Sequence, residues 1–322
     1  MNSSISSSKA LVAGFFVGFA ALFAVLTGVS EWFVRSQVAP ADTLERHVEL
    51  FSTTRSPYAA FGDSHVARGF DAQMPVVNLA FPSENLDRMD WKAARYLDRV
   101  KTPKMVLIQA DPHLFAPYRL NAGLADYPEI FGEARGALLK AYSDRYRPQL
   151  LALWRSYFWN DWRMVSTIEV TPQGALLSPG DVSSWPRAEQ IEFTRKRVAL
   201  HQPIKNLAQS HSAIGYRRMV ERFVEKGASV CLAALPTSPL YRDEITSLTV
   251  QQRGAWAEAI AFYESLAAKP GVRFVDHRAA YSDLTLFRDP DHLNKKGAIH
   301  YSPRLQAACF DHDGPDRVAA VQ

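Results

Sequence analysis

The chain predicts an α/β fold in three layers: a parallel sheet with helices on both faces, carrying a helical insertion and preceded by one membrane-spanning helix. Three observations carry this expectation. Short apolar runs alternate with segments of helical periodicity between Tyr58 and Val275, the pattern that strand–helix–strand crossovers leave in a sequence. Met105-Val106-Leu107-Ile108-Gln109 is apolar without alternation, as in a strand covered on both faces. Ala10 to Ser30 reads ALVAGFFVGFAALFAVLTGVS, with no charge, and has the length of a bilayer span.

Composition sets the bounds. A chain of 322 residues accommodates one large domain with an insertion, or two small ones. A hydrophobic content of 47% with 11% aromatic residues excludes general disorder. The formal charge of +4 is mild and suits a position near anionic lipid or polymer. No dense Lys/Arg run is present, so nucleic acid is not an expected partner. Cys231 falls in an apolar strand-like run and Cys309 in a late helix. Two cysteines make no disulfide framework, and both are most simply core residues; a single bridge between them stays open.

Residues 1–9 form a short polar N-terminus, read as cytoplasmic, that ends at Lys9. The span 10–30 follows. A signal peptide would have a shorter apolar core and then a small-residue cleavage site. Here the run continues into Glu31, Trp32, Phe33 and Arg35, and Trp32 suits a membrane interface. The reading is an uncleaved single-pass anchor in the cytoplasmic membrane. Lys9 and the terminal amine favour the N-terminus inside, and Arg35 opposes this weakly. The rest of the chain is then periplasmic or its equivalent. Residues 31–57, with Pro40, Asp42 and Glu45-Arg46-His47, read as a linker or short helix.

The domain spans 58–310. Strand Tyr58–Phe61 runs into Gly62-Asp63-Ser64-His65. Val76–Ala80 is a second strand, followed by the loop Phe81-Pro82-Ser83-Glu84-Asn85 and a helix from Leu86 to Val100. Met105–Gln109 is the third strand, ending at Ala110-Asp111-Pro112-His113. Residues 114–206 exceed a simple crossover and read as the insertion, with the aromatic run Trp154 to Trp162. Its aromatics either pack on the domain or form a wall for a carbohydrate chain, a membrane or a partner. Thr171–Gly180 reads as a turn-rich hairpin or flap, and Glu189–His201 as a solvated helix. Ile214–Lys226 is an amphipathic helix, Ala228–Leu235 the fourth strand, Gln252–Ala267 a helix and Val272–Val275 the fifth strand. Residues 311–322 read as a disordered tail.

Chemistry concentrates in two short stretches. After the first strand, Ser64 stands where a helix begins, beside main-chain N–H groups that could hold an oxyanion. Far along the chain, Asp289-Pro290-Asp291-His292-Leu293-Asn294 sets an acid three residues before a histidine, on a loop leading into a helix. His292 could take the proton of Ser64, and Asp289 could fix its tautomer and orientation. Asp291 has the wrong spacing for that acid and reads as the cap of the following turn. Ser64, Ala80, Asp111, Thr237 and Asp289 all follow strands, where open α/β sheets bind ligands. His292 and His300 with Asp289 and Asp291 lack metal-ligand partner spacing, so neither a metal nor a cofactor is expected.

Gly-Asp-Ser near the start of the α/β pattern and Asp-x-x-His near its end resemble the GDSL, or SGNH, hydrolase superfamily over roughly 58–310. The resemblance implies a flavodoxin-like sheet, Ser64 as nucleophile, His292 as base and Asp289 as orienting acid. It also implies a small residue after the second strand that lends a main-chain N–H, and Ala80 is the nearest match. The family's third block supplies Gly-x-Asn-Asp; here Gln109-Ala110-Asp111-Pro112-His113 stands instead. Gln109 could replace the missing asparagine, or two main-chain donors could suffice. Ala80, Ser83, Gln109, Asp111 and His65 form the expected oxyanion and substrate-binding set.

Asn78-Leu79-Ala80-Phe81-Pro82-Ser83, the N-terminal anchor and the late block ending in Lys296-Gly297-Ala298 are similar to the teichoic-acid D-alanyl transfer proteins. Related anchored proteins assist polysaccharide O-acetylation, commonly beside a multi-pass membrane O-acyltransferase. In the alginate-acetylation relatives the acid and histidine precede the serine, so the order here favours the D-alanyl-transfer-like or the plain SGNH arrangement. The resemblance implies acyl transfer through Ser64, acetyl or D-alanyl, to a cell-envelope polysaccharide or teichoic-acid-like polymer. Two readings stand beside it: an esterase that removes such groups, and a non-catalytic assembly subunit.

Overall fold

The computed structural model describes residues 4–120, 131, 146–160 and 168–311, and of the expected tail at 311–322 all but Asp311 lies outside the described residues. The chain divides into two units: 1–46 with 133–166, and 47–132 with 167–322.

In the first unit, helix α1 (Ser4–Phe33) continues through a π-helical turn at Val34–Val38 and a short turn at Ala39–Ala41. Helix α2 (Thr43–Thr53) then straddles the boundary between the units. The expected linker at 31–57 is therefore largely helical, because nothing in Glu31–Val38 interrupts the backbone ladder. Leu11–Ala41 is long and apolar enough to cross a membrane. Its side chains from Leu11 to Val29, Phe15, Phe19 and Phe23 among them, are exposed. Helix α5 (Leu150–Trp159) packs Trp154 face to face on Phe33, 3.8 Å between centroids. That pair, with Val34, Val38, Tyr146 and Tyr157, is this unit's small apolar cluster.

The second unit is built on five parallel strands: β1 (Tyr58–Phe61), β2 (Val77–Asn78), β3 (Met105–Gln109), β6 (Ser229–Ala234) and β7 (Val272–Asp276). Between β3 and β6 the chain forms the hairpin β4 (Glu169–Val170) and β5 (Leu176–Leu177), at the expected turn-rich segment. The sheet order β2-β1-β3-β6-β7 is the doubly wound 2-1-3-4-5 arrangement. The chain leaves β1 in one direction to β2 and returns past it to β3, so the switch point falls between β1 and β3. β1 and β3 align Phe61 with Ile108, which puts the turn at Gly62 beside the end of β3. All residues of β3 are buried, as its continuous apolar run predicts.

The helices follow the apolar period. Helix α3 (Ser64–Gly69) starts at the Gly-Asp-Ser turn, and α4 (Leu86–Arg99) buries Leu86, Met89, Ala93, Tyr96 and Leu97. Helix α6 (Arg187–Leu200) buries the stripe Gln190, Thr194 and Val198 and is solvated elsewhere. Helix α7 (His211–Glu225) buries Tyr216, Met219, Val220 and Phe223, each apolar side chain contributing about 1.5–3 kcal/mol. Helix α8 (Pro239–Ser247) was not expected; Pro239-Leu240 follows a Ser238 cap, a start signal hidden in a proline-rich turn. Helix α9 (Val250–Ala267) opens with a capping box at Thr249 and Gln252.

The late acid–histidine block forms a small antiparallel hairpin, β8 (Phe287–Asp289) and β9 (His292–Leu293), where a loop was expected. Asn294 caps helix α10 (Lys295–Phe310) by accepting from the Gly297 N–H at 2.9 Å. Gly297 is required there, since a Cβ would collide with the Leu286 carbonyl oxygen.

Cys231 on β6 and Cys309 on α10 are both buried and bridged, closing a loop of 78 residues. Of the readings left open by the sequence, they are core residues and a disulfide at once. A loop of that size is worth about 4–5 kcal/mol in the chain-entropy treatment. The Cys231→Ala/Cys309→Ala protein is expected to lose stability of that order in urea unfolding. The same loss should appear on reducing the native protein, and unchanged midpoints would rule the bridge out as a stabilising element.

Candidate active site

The turn after β1 must bend sharply, and Gly62 permits it. A Cβ there would lie 2.6 Å from Gln109 Oε1 and from Val66 Cγ2. Asp63 then caps α3, accepting from the His65 N–H at 2.9 Å. Ser64 is the first helical residue, so its N–H has no intrahelical acceptor. The hairpin β8–β9 brings His292 above it. His292 Nε2 lies 2.8 Å from Ser64 Oγ, and His292 Nδ1 lies 2.8 Å from Asp289 Oδ1. The same Asp289 oxygen accepts the main-chain N–H groups of Asp291 (3.2 Å) and His292 (3.0 Å). A local turn thus fixes the acid that faces the imidazole. Serine, histidine and aspartate form one hydrogen-bonded line across residues far apart in sequence.

Beneath that line lies a buried polar layer. His65 Nδ1 is 3.0 Å from Asp111 Oδ2, and His65 Nε2 is 3.3 Å from Asp291 Oδ2. Asp111 also accepts from Gln109 Nε2 (2.8 Å) and the Leu235 N–H (2.9 Å). Gln109 Oε1 in turn accepts the Asp63 N–H at 2.6 Å. Asp63 Oδ2 binds His113 Nε2 at 2.8 Å and Arg119 Nη2 at 2.6 Å. Arg197 Nε lies 3.0 Å from Asp291 Oδ1, an ion pair whose N–H is not aligned on the oxygen. His201 Nδ1 meets the Tyr241 hydroxyl at 2.7 Å.

These contacts settle the charges in the layer. Burial would raise the Asp63 carboxyl, but Arg119 and His113 outweigh it and hold it well below the usual range. Burial keeps His113 and His201 low, hence neutral. Burial also opposes charge on His65, yet Asp111 and Asp291 overcome it and push its pKa up to about 10 from 6.5. A base raised on folding stabilises the fold fully below its unfolded pKa and loses that contribution as pH climbs to the folded value. Stability is therefore expected to fall between about pH 6.5 and 10. His65→Gln should flatten that slope in urea titrations at several pH values. An unchanged slope in the variant would sink this assignment.

The structure places the expected oxyanion and binding residues in different surroundings. Ser83 lines the cavity in front of Ser64, its backbone left-handed at φ 66°. Ala80 does not line it. Its N–H donates to Asn78 Oδ1 at 3.1 Å, because Asn78 Nδ2 is anchored on the Val66 and Phe70 carbonyls and aims its oxygen at Ala80. Gln109 is fully buried with its amide committed to Asp63 and Asp111, so it presents no donor to the cavity. Asp111 and His65 are buried partners of each other and face a separate cavity of about 290 Å³. Asp291 does not cap the following turn; it is fully enclosed against His65 and Arg197.

The loop carrying Ser83 is pinned from below. Lys92, fully buried on α4, donates to the Leu79 carbonyl and lies 2.7 Å from Glu84 Oε1 and 2.9 Å from His47 Nε2. Arg119 Nη1 donates to the Glu84 carbonyl at 3.2 Å. Arg197, His201 and Lys92 were not singled out from sequence. Arg197 in the last turn of α6 and His201 at its C-cap stand four apart, and that spacing was the available signal.

The cavity before Ser64 measures about 790 Å³ and includes Ser83, Tyr118, Trp185, Phe193 and His292 in its wall. Among the described residues, His65 with Asp111 and His113, and His65 with Asp291 and His292, bring potential metal-ligand atoms within 4.8 Å. The hydrogen bonds above already occupy these atoms, and a buried cationic His65 opposes a second cation. No family model matches the chain, and no curated protein matches it either.

Proposed function

We propose that the protein is a membrane-anchored, extracytoplasmic serine O-acyltransferase of SGNH type that acylates a cell-envelope polymer through an acyl-serine. The observation that carries this reading is the line from Ser64 Oγ through His292 Nε2 and Nδ1 to Asp289 Oδ1. A serine hydroxyl is a weak nucleophile until an adjacent base takes its proton. In the first half-reaction Ser64 Oγ attacks the acyl carbonyl and its proton moves to His292 Nε2. The main-chain N–H of Ser64, which has no intrahelical acceptor, is the donor offered to the oxyanion. The leaving group then takes the proton from His292, and acyl-Ser64 remains. In the second half the acceptor hydroxyl gives its proton to His292, attacks the ester, and Ser64 leaves reprotonated. Asp289 stabilises the imidazolium formed in each half.

The oxyanion arrangement argues against a fast, general esterase. Gln109 is committed elsewhere, and loss of one such donor costs on the order of 10²–10³ in rate. A slow site suits an acyl-enzyme that waits for a polymer hydroxyl. The apolar helix Leu11–Ala41 supports membrane attachment. The Cys231–Cys309 bridge supports an oxidising compartment, with the domain outside and, as the family resemblance implies, beside a multi-pass O-acyltransferase that supplies acyl groups.

The test is a strain carrying Ser64→Ala with the protein stably present. Ester-linked acyl groups should disappear from its envelope polymer. A gain would make the protein an esterase, and unchanged acyl content would reduce it to an assembly subunit.

A further inference from the structure

The cavity before Ser64 carries more positive charge than its acids account for. Arg68, Arg119, Arg197 and Arg288 all reach its wall. Arg119 is held by Asp63, and Arg197 lies against Asp291. The wall's own carboxylate, Asp289, serves His292. Arg68 and Arg288 have no hydrogen-bonded or ion-paired acid among the described residues, and Arg68 Nε is buried without a partner.

Their placement follows from the elements that carry the nucleophile and its acid. Arg68 is one turn beyond Ser64 on α3, so the two side chains leave the same helix face. Arg288 immediately precedes Asp289 on β8. Its stem packs on Gly180, where a Cβ would sit 2.9 Å from Arg288 Cγ. Burial and the like charge of Arg288 draw the Arg68 pKa down, with Asp289 and Asp291 opposing from a distance. Two guanidiniums sharing a half-buried cavity repel each other, and an anion between them removes that cost. Trp185 and Phe193, edge to face at 5.3 Å, complete the wall with a rigid apolar surface.

We propose that Arg68 and Arg288 form an anion subsite that holds a carboxylate or phosphate of the polymer, beside the hydroxyl or ester that meets Ser64. The inference rests on the reading of Ser64 as an acyl carrier and adds the acceptor's chemistry: an acidic glycan or a polyol-phosphate chain, not a neutral one. Guanidinium presents paired donors to either oxyanion.

The experiment separates this from the catalytic reading because it needs no turnover. Full-length Ser64→Ala protein in neutral detergent is titrated calorimetrically with three ligands of matched length. They are an oligouronate, a polyol-phosphate oligomer and a neutral oligosaccharide. One charged ligand is expected to bind at least about tenfold tighter than the neutral one, with affinity falling as salt rises; which of the two binds identifies the source of the anion. Arg68→Gln and Arg288→Gln should each weaken it about 10- to 100-fold, as loss of a charge-assisted bond does. Arg288 is only partly buried, on the short strand β8, so its variant tests the subsite if Arg68→Gln folds poorly. Equal affinity for the neutral ligand, no binding of either charged one, or unchanged affinity in Arg288→Gln would overturn the subsite. Acylation of native Ser64 is scored separately. Its loss with binding intact would overturn the catalytic reading alone.

Discussion

Ser64→Ala is expected to abolish acyl-enzyme formation, a loss of about 10⁶ in rate on the scale of a serine protease in which the acting residues fail as a unit. His292→Ala should be nearly as severe, and the double variant little worse than either. The reason is geometric. The His292 ring lies 2.8 Å from Ser64 Oγ, and on the proposed reading the hydroxyl keeps its proton without it. Rapid-quench capture of the acyl-protein from a small activated ester measures the effect. Losses that simply add would mean that the two side chains do not act together.

Asp289→Asn is the second large effect, a loss of about 10⁴ by analogy with a serine protease. The hairpin should survive, since an amide oxygen can still accept the N–H groups of Asp291 and His292 now bound to Asp289. What disappears is the negative charge opposite the imidazolium. Asp291 gives a sharp contrast. It lies 3.6 Å from His292 Nδ1 and is bound instead to His65. Asp291→Asn should act mainly on stability, because it strands the buried His65 cation. Rate assays of both variants beside urea unfolding separate the two acids. Equal rate losses without destabilisation of Asp291→Asn would contradict the division of roles.

How much of this was legible in the sequence depends on how local each signal is. The proximity of Ser64, Asp289 and His292 was legible because strand–turn–helix and acid-x-x-histidine are short local patterns. The central strands were found because β3 is apolar throughout. The hairpin at 287–293 was missed because Phe287-Arg288-Asp289 is too short for a period of two to register. The polar layer was invisible for another reason: His65 meets Asp111 and Asp291 across separations of 46 and 226 residues. Ala80 was misjudged because the fate of its N–H depends on the orientation of the Asn78 side chain. Nothing in the loop sequence encodes that orientation. Arg68 was legible one turn after Ser64, but an isolated arginine on a short helix reads as solvated until its neighbours are known.

On the proposed reading Ser64 is a nucleophile activated by His292. The direct measurement is mass spectrometry of the detergent-solubilised, full-length protein after exposure to a fluorophosphonate. One covalent adduct is expected on Ser64 in the native protein, lost in Ser64→Ala and slowed by several orders of magnitude in His292→Ala. An unlabelled native protein, or labelling of Ser64 at the same rate without His292, would contradict it.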